Sequence, residues 1–302
     1  MSVHPYDVVI IGTGPAGIQA AIHASRRKTR VLMLGRIENS ALYTAHIENY
    51  AFVPGVTLGA DLLRLGVAQA QQFGCEIKAE DVLGLEADDL FRVKLESGTT
   101  IASRTLIFSM GVSKQKLNVP GEKELSGRGV SYCVDCDANF YRGAVVTVTG
   151  DRSAAVDGAL TMLDYASKVY LVTEQLNVSA ELLDRLSKSK VERIHSSIKR
   201  INGDKIVDSL VLADGQTLAT EGVFIELGSK GALELATQVG VQLDTESFKH
   251  IAVNQQQATN IPGIFAAGDI VGPPYQMAKA VGEGCTAGIE AATFARKMKK
   301  EE

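Results

Sequence analysis

Hydrophobic positions along this chain follow a pattern that occurs twice. Tyr6–Ile11 is a short apolar run that meets a glycine turn, Gly12–Gly17, and an alanine-rich helical stretch follows at Pro15–Arg27. A β-branched run at Arg30–Leu34 completes the set. About 140 residues later the order returns. Ala144–Thr149 is apolar and β-branched, Gly150 opens a turn, Ala154–Ala166 has helical spacing, and Lys168–Thr173 is a second run. Each set predicts a βαβ unit with its glycines at the strand-to-helix turn. Thr105–Ser109, ending in Met110-Gly111, extends the first sheet, and Gly222–Leu227 is its counterpart in the second. A last run, Gly263–Ala267, ends in Gly268-Asp269 and precedes a helix predicted over Met277–Lys297. The predicted fold class is α/β, two tandem Rossmann-like nucleotide-binding domains, each a parallel sheet flanked by helices. Periodicity leaves open which of them owns the final strand and helix.

Composition narrows the class further. At 302 residues the chain is long enough for two domains that each bury a core. It is 45% hydrophobic and 22% charged, ordinary for a soluble α/β protein. A net charge of −4 gives no footing for nucleic acid, and no apolar run reaches the length of a membrane span. The first strand begins so close to Met1 that no signal peptide fits, and a cytoplasmic location is expected. Four cysteines are present: one close pair, Cys133 and Cys136, and two singles, Cys75 and Cys285. This is not the framework of a secreted disulfide protein. The singles read as packed apolar residues. His4, His23, His46, His195 and His250 show no ligand spacing, so no metal site is expected. Arg26-Arg27-Lys28 and the charged C-terminus read as solvated helix ends.

Two motifs carry chemistry. In Gly12-x-Gly14-x-x-Gly17 the first glycine permits the tight turn and the second lets a pyrophosphate approach backbone amides. The third lets helix and strand pack, while the helix N-terminus, entered through Pro15 and Ala16, supplies partial positive charge. The generic fold wants an acid after the second strand to hold a ribose. Here the strand ends at Leu34-Gly35-Arg36 and Glu38 is the nearest acid, which leaves that contact unassigned. The second motif is Cys133-Val134-Asp135-Cys136, followed by Asp137. One thiolate attacks a partner disulfide, the second resolves the mixed disulfide, and the neighbouring acid handles the protons. The spacing lets both sulfurs meet within one helical turn, whose N-terminus favours a thiolate.

Gly12–Gly17, Cys133-x-x-Cys136-Asp137, Gly268-Asp269 and Tyr275-Gln276-Met277-Ala278 with Gly284-Cys285, in this order and spacing, resemble the low-molecular-weight bacterial thioredoxin reductases. The resemblance covers essentially the whole chain. It implies an FAD-binding domain formed by residues 1–115 and 230–302, hence discontinuous, a second nucleotide domain over 116–229 carrying the cysteine pair, and a homodimer. It implies that Gly12, Gly14 and Gly17, with Pro15 and Ala16, take the pyrophosphate, and that Asp269, after Gly268, meets the ribityl or phosphate region. Gly35, Leu42, Asn49, Met110 and Gly111 would surround the flavin. Gln276-Met277-Ala278 stands where the family usually has Arg-Gln-Ala, and would face the flavin with a positive helix end. By the same analogy Cys136 is the sulfur nearer the flavin, and Cys133 exchanges with a thioredoxin-like protein, another disulfide protein or a small dithiol. Two stretches depart from the family: Ser109-Met110-Gly111 replaces Ala-Thr-Gly, and Asn39-Ser40-Ala41-Leu42 replaces Gly-Gly-Gln-Leu.

The second fold departs further. It reads Gly150-Asp151-Arg152-Ser153-Ala154-Ala155, so Arg152 replaces the glycine that lets a pyrophosphate come close. After the next strand come Thr173-Glu174-Gln175, with no arginine to clamp the 2′-phosphate of NADPH. NADPH is therefore not expected as donor. Glu174 stands near the register of a ribose-binding acid, and with Arg152 suits NADH or the ADP half of a second FAD. Family branches independent of pyridine nucleotides are fed by ferredoxin or carry a second flavin. The chain ends at Lys299-Lys300-Glu301-Glu302 without the aromatic tail of the ferredoxin-linked forms, which favours the second flavin. The expected function is an FAD-dependent thiol-disulfide oxidoreductase working without NADPH. A ferredoxin-fed reductase, a dithiol oxidase using oxygen and a flavin-binding redox sensor remain the alternatives.

Overall fold

A computed structural model describes residues 4–112 and 116–301. The chain begins with β1 (Tyr6–Ile11), α1 (Pro15–Arg26), β2 (Val31–Leu34), β3 (His46–Ile47), β4 (Thr57–Leu58) and α2 (Gly59–Gln72). It continues through β5 (Glu76–Lys78), β6 (Val82–Ala87), β7 (Phe91–Leu95) and β8 (Thr100–Phe108). Next come β9 (Val130–Ser131), the short turn α3 (Val134–Asp137), β10 (Val145–Thr149), α4 (Ser153–Met162), β11 (Lys168–Val172) and α5 (Ala180–Ser187). Then follow β12 (Glu192–Ile194), β13 (Ile198–Asn202), β14 (Ser209–Leu212), β15 (Thr217–Ala219) and β16 (Gly222–Ile225). The last elements are α6 (Ala232–Gln238), β17 (Ile264–Ala266) and α7 (Met277–Glu301).

These elements form two compact units. The first comprises residues 4–95, 99–112 and 231–301. Its main sheet runs β5-β2-β1-β8-β7-β6, with β17 also paired to β8. Every residue of β1 is buried, because the strand is covered on both faces. Val8 and Ile10 point into a cluster with the alanines of α1 and α7, while Val9 and Ile11 point the other way, toward β6–β8 and α6. Alternate residues of one strand thus seed two cores.

The second unit comprises residues 96–98 and 116–230. Its main sheet, β12-β11-β10-β16-β9, is parallel in every pairing. A separate antiparallel sheet, β13-β14-β15, packs its Ile198, Ile201, Leu210 and Leu212 into the same core as Val172, Val223 and Ile225. The expected boundary at residue 115 lies outside the described residues.

The α/β class with Rossmann-like sheets is what the repeated pattern predicts. The first sheet is mixed, however, since β6, β7 and β8 form an antiparallel meander. Burial along β7 alternates strictly, Phe91, Val93 and Leu95 inward and Arg92 and Lys94 outward, as suits a strand with one wet face. Helix α4 stops at Met162, short of Ala166, where the chain tightens into turns closed by the Leu163, Asp164 and Tyr165 amides. Helix α7 runs past Lys297 to Glu301.

Candidate redox and nucleotide sites

The first glycine turn follows directly from β1. Gly12 takes φ +122, and a Cβ there would come within 2.6 Å of the Ser109 carbonyl oxygen. A Cβ on Gly17 would overlap the Gly12 carbonyl, so only glycine lets α1 start this close to the strand. A Cβ on Gly14 would meet only Ser40 Oγ, at 3.3 Å. That side of the turn is an open cradle bordered by the Ser40 hydroxyl. Gly14 caps α1 without a side-chain hydrogen bond, with Pro15 and Ala16 in the first turn. These residues fit a dinucleotide pyrophosphate.

The other expected flavin residues of this unit gather in part around that turn. A Cβ on Gly268 would lie 3.0 Å from Ala16 Cβ, so the Gly268-Asp269 corner abuts the start of α1. Glu283 accepts the Gly268 amide at 2.9 Å, and Lys279 Nζ donates to the Gly268 carbonyl at 3.0 Å. Neither Lys279 nor Glu283 was singled out from sequence. Their i, i+4 spacing at the start of α7 was the available signal. Burial pushes the Asp269 carboxyl up, opposed by the Lys279 charge and reinforced by Glu283. Asn49 donates to Gln276 at 3.2 Å, just before α7 begins at Met277 and Ala278. Leu42 is buried beneath the start of α2, and Met110 packs against the apolar cluster behind β1. Gly111 is exposed, with nothing within 4 Å of a Cβ. Gly35 takes φ +128, and Arg36 beside it pairs with buried Asp81 at 2.9 Å.

Cys133 and Cys136 form a disulfide, with Cα atoms 5.3 Å apart. Cys133 is buried and caps α3, its sulfur accepting the Cys136 amide at 3.2 Å; Cys136 is exposed. Asp137 closes the turn. Its Oδ2 accepts a 2.6 Å hydrogen bond from the Ser131 hydroxyl, whose oxygen accepts the Cys133 amide at 3.1 Å. Ser131 thus links the acid to the first cysteine, a role invisible in sequence because it reaches across six residues from β9. Glu226, at the end of β16, accepts the Val134 amide at 2.9 Å. Burial, then the charge of Asp137, pushes the nearby Tyr141 hydroxyl up. Away from this turn, burial pushes the Cys75 thiol up to about 12, which leaves it protonated and unreactive. Cys285 is half-buried on α7.

The second glycine turn copies the first only in part. Gly150 takes φ +153, and a Cβ there would overlap the Glu226 carbonyl. Arg152 stands where Gly14 stands in the first turn, capping α4 in an extended conformation with no side-chain cap bond. At this position Arg152 carries a side chain where the first turn has the bare Gly14. Ser153 is fully buried, and the Ala154 amide reaches the Gly228 carbonyl at 3.4 Å. Beyond β11 the chain bends back, and the Asn177 amide donates to the Asp151 carbonyl at 2.7 Å. Exposed Glu174 accepts the Ser197 hydroxyl at 2.9 Å. Among the described residues no group of three or more His, Cys, Asp or Glu side chains is arranged to hold a metal, and no helix is long and apolar enough to cross a membrane.

Two Rossmann-like sheets in one chain, with a closed Cys-x-x-Cys disulfide on the second, define a nucleotide-dependent disulfide oxidoreductase. The chain belongs to the pyridine nucleotide-disulphide oxidoreductase family, with residues 6–284 matched. It is 34% identical to a thioredoxin reductase of Listeria monocytogenes over 98% of this chain and 95% of that one. Among solved structures it is similar to the atypical thioredoxin reductase TRi from Desulfovibrio vulgaris Hildenborough. That match has a TM-score of 0.83 and 33% identity, over 98% of this chain and 99% of the other. A ferredoxin-flavin thioredoxin reductase from Clostridium acetobutylicum matches with a TM-score of 0.69 and 33% identity over 98% and 99%. The chain is accordingly an oxidoreductase of the thioredoxin reductase type, a flavoprotein with a redox-active disulfide.

Proposed function

We propose that this enzyme passes electrons between FAD and the Cys133–Cys136 disulfide, acts on a thioredoxin-like protein disulfide, and does not take its electrons from NADPH. Gly12, Gly14, Pro15, Ala16 and Gly17 would hold the FAD pyrophosphate, with Gly268 and Asp269 beside them. Gly35, Leu42, Asn49, Met110, Gly111 and Gln276-Met277-Ala278 would line the rest of the cofactor. Bound FAD supplies a two-electron carrier. The chain's own residues do the thiol chemistry. The Cys136 amide already points at Cys133 Sγ and stabilises negative charge there once the bond is reduced. By the family analogy the Cys133 thiolate, buried while the bond is closed, becomes accessible once it opens, attacks the partner disulfide and forms a mixed disulfide, releasing one partner thiolate. Cys136 then attacks the Cys133 sulfur, frees the second partner sulfur and restores the intramolecular bond. Asp137, held by Ser131, transfers the protons.

The observation that carries the exclusion of NADPH is the second glycine turn, with Arg152 at the cap of α4 and Glu174 beyond β11. A carboxylate facing the 2′-phosphate is repulsive, and an arginine clamp would contribute about 1.5–3 kcal/mol per charge-assisted bond. Without two such bonds NADPH binding weakens roughly 10²- to 10⁴-fold. A protein donor of the ferredoxin type is one reading of this turn, because the Ala154 amide, a donor that a phosphate would use, is engaged with the Gly228 carbonyl. A second reading, a further FAD or NADH in this fold, rests on Glu174 at the ribose register and Arg152 at the helix mouth. A homodimer is part of the proposal, on the strength of the family resemblance. Anaerobic addition of micromolar NADPH is expected to leave the flavin absorbance unchanged while dithionite bleaches it. Rapid bleaching by NADPH would sink the proposal. Two released flavins per chain favour the second flavin; one favours a protein donor or NADH, which anaerobic addition of NADH then separates.

A further inference from the structure

The segment between the two cysteines is held by charge. Val134 gives its amide to Glu226, and the Asp135 carboxylate lies 3.0 Å from Lys230 Nζ. The same ammonium lies 3.2 Å from Asp157 on α4. Lys230 is only 6% exposed and Asp157 only 7%, so solvent screens this contact little. Among the described residues, Asp135, Asp137, Glu226 and Asp157 bring four carboxylates to the redox turn or its immediate supports. Reducing the disulfide adds negative charge to this neighbourhood. Breaking the S–S bond takes up two electrons, and where one sulfur stays ionised it takes up a single proton.

We propose that Lys230 is the positioning residue that sets the reduction equilibrium of the Cys133–Cys136 pair, by holding Asp135 and by supplying the positive charge that offsets the thiolate. This rests on the redox role of the pair. Asp135 is the residue before Cys136 and its carboxylate touches the ammonium, so chain geometry keeps Lys230 Nζ within about 15 Å of both sulfurs. At an effective dielectric of ~20, a unit charge ~12 Å away changes an equilibrium by roughly tenfold. Removing Lys230 favours the disulfide. Neutralising Asp135 favours the dithiol, because it removes a repelling charge and leaves the ammonium in place. A purely mechanical tie would give the same sign for both changes, since each breaks the same ion pair.

The test uses the FAD-loaded protein, equilibrated without oxygen in mixtures of reduced and oxidised dithiothreitol. The dithiothreitol closes to its own disulfide and gives up two electrons and two protons. Thiols at Cys133 and Cys136 are then counted by alkylation and mass spectrometry. Lys230→Met is expected to shift the equilibrium about tenfold toward the disulfide, about 30 mV for a two-electron couple. Asp135→Asn is expected to shift it several-fold the other way, and Lys230→Arg to stay near the native value. Shifts of the same sign, or none, in Lys230→Met and Asp135→Asn overturn the proposal. If Lys230→Met does not fold, Asp135→Asn decides: no movement toward the dithiol overturns it. A native pair that dithiothreitol never reduces would instead overturn the redox reading, and this proposal with it.

Discussion

Ser131 hydroxyl, Cys133 amide and Asp137 carboxylate form one short chain of hydrogen bonds, so the acid is aimed before any partner arrives. Asp137→Asn keeps a similar shape but cannot move a proton, and is expected to slow thiol–disulfide exchange about 10²-fold. Stopped-flow measurement of partner reduction checks this, and an unchanged rate would leave Asp137 a helix-turn residue only. Asp269 gives a pH-dependent expectation. Its carboxyl is pushed up, chiefly by burial, so at neutral pH the folded chain carries an ionised group it disfavours. As pH falls through the raised value the folded chain takes up the proton before the unfolded one, and the penalty disappears. Cofactor-free Asp269→Asn should therefore melt higher than the native protein at pH 8, with the gap closing on acidification. Thermal melts across pH 4–8 read this directly, and a gap that widens in acid contradicts the assigned cause.

Helices α1 and α7 cross at small residues, because a Cβ on Gly284 would overlap the Ala16 carbonyl and one on Gly288 the Ala20 carbonyl. That close approach also sets where the glycine turn and the Gly268-Asp269 corner meet. Gly284→Val must push backbone from backbone and is expected to cost on the order of 1–3 kcal/mol. It should also weaken FAD retention, since Ala16 lies in the first turn of α1. Urea melts and released-flavin assays measure the two effects, and a variant with native stability would show that the helices can part freely. At this scale the βαβ units were legible in sequence because their strands are mostly apolar or β-branched and the first strand of each runs into a glycine. The β6–β8 meander was less so, since a half-wet strand alternates and resembles an ordinary surface segment until its partner is known.

On the scale of the whole molecule, the two nucleotide folds share a plan and differ at the helix cap, Gly14 in the first and Arg152 in the second. Their joint product is expected to be electron flow to a protein disulfide. Cys136→Ser, which keeps Cys133, should trap a stable mixed disulfide with oxidised thioredoxin, while Cys133→Ser should not. Non-reducing gels with mass spectrometry of the linked peptide give the answer, and trapping through Cys136 alone would reverse the two roles.

The amino-acid sequence by itself determined the class of fold, the glycine turns, the cysteine pair and the lack of a basic residue in Thr173-Glu174-Gln175. These depend on local requirements: a backbone that bends only at glycine, a helix that needs apolar spacing, a phosphate that needs cations. Tertiary structure alone decided which distant groups meet. Ser131 reaches Asp137, Glu226 reaches Val134, and Lys230 joins Asp135 to Asp157 across nearly a hundred residues of chain. No periodicity encodes such pairings, because they arise only when separate strands, the α3 turn and helix α4 are brought together by the folded sheet.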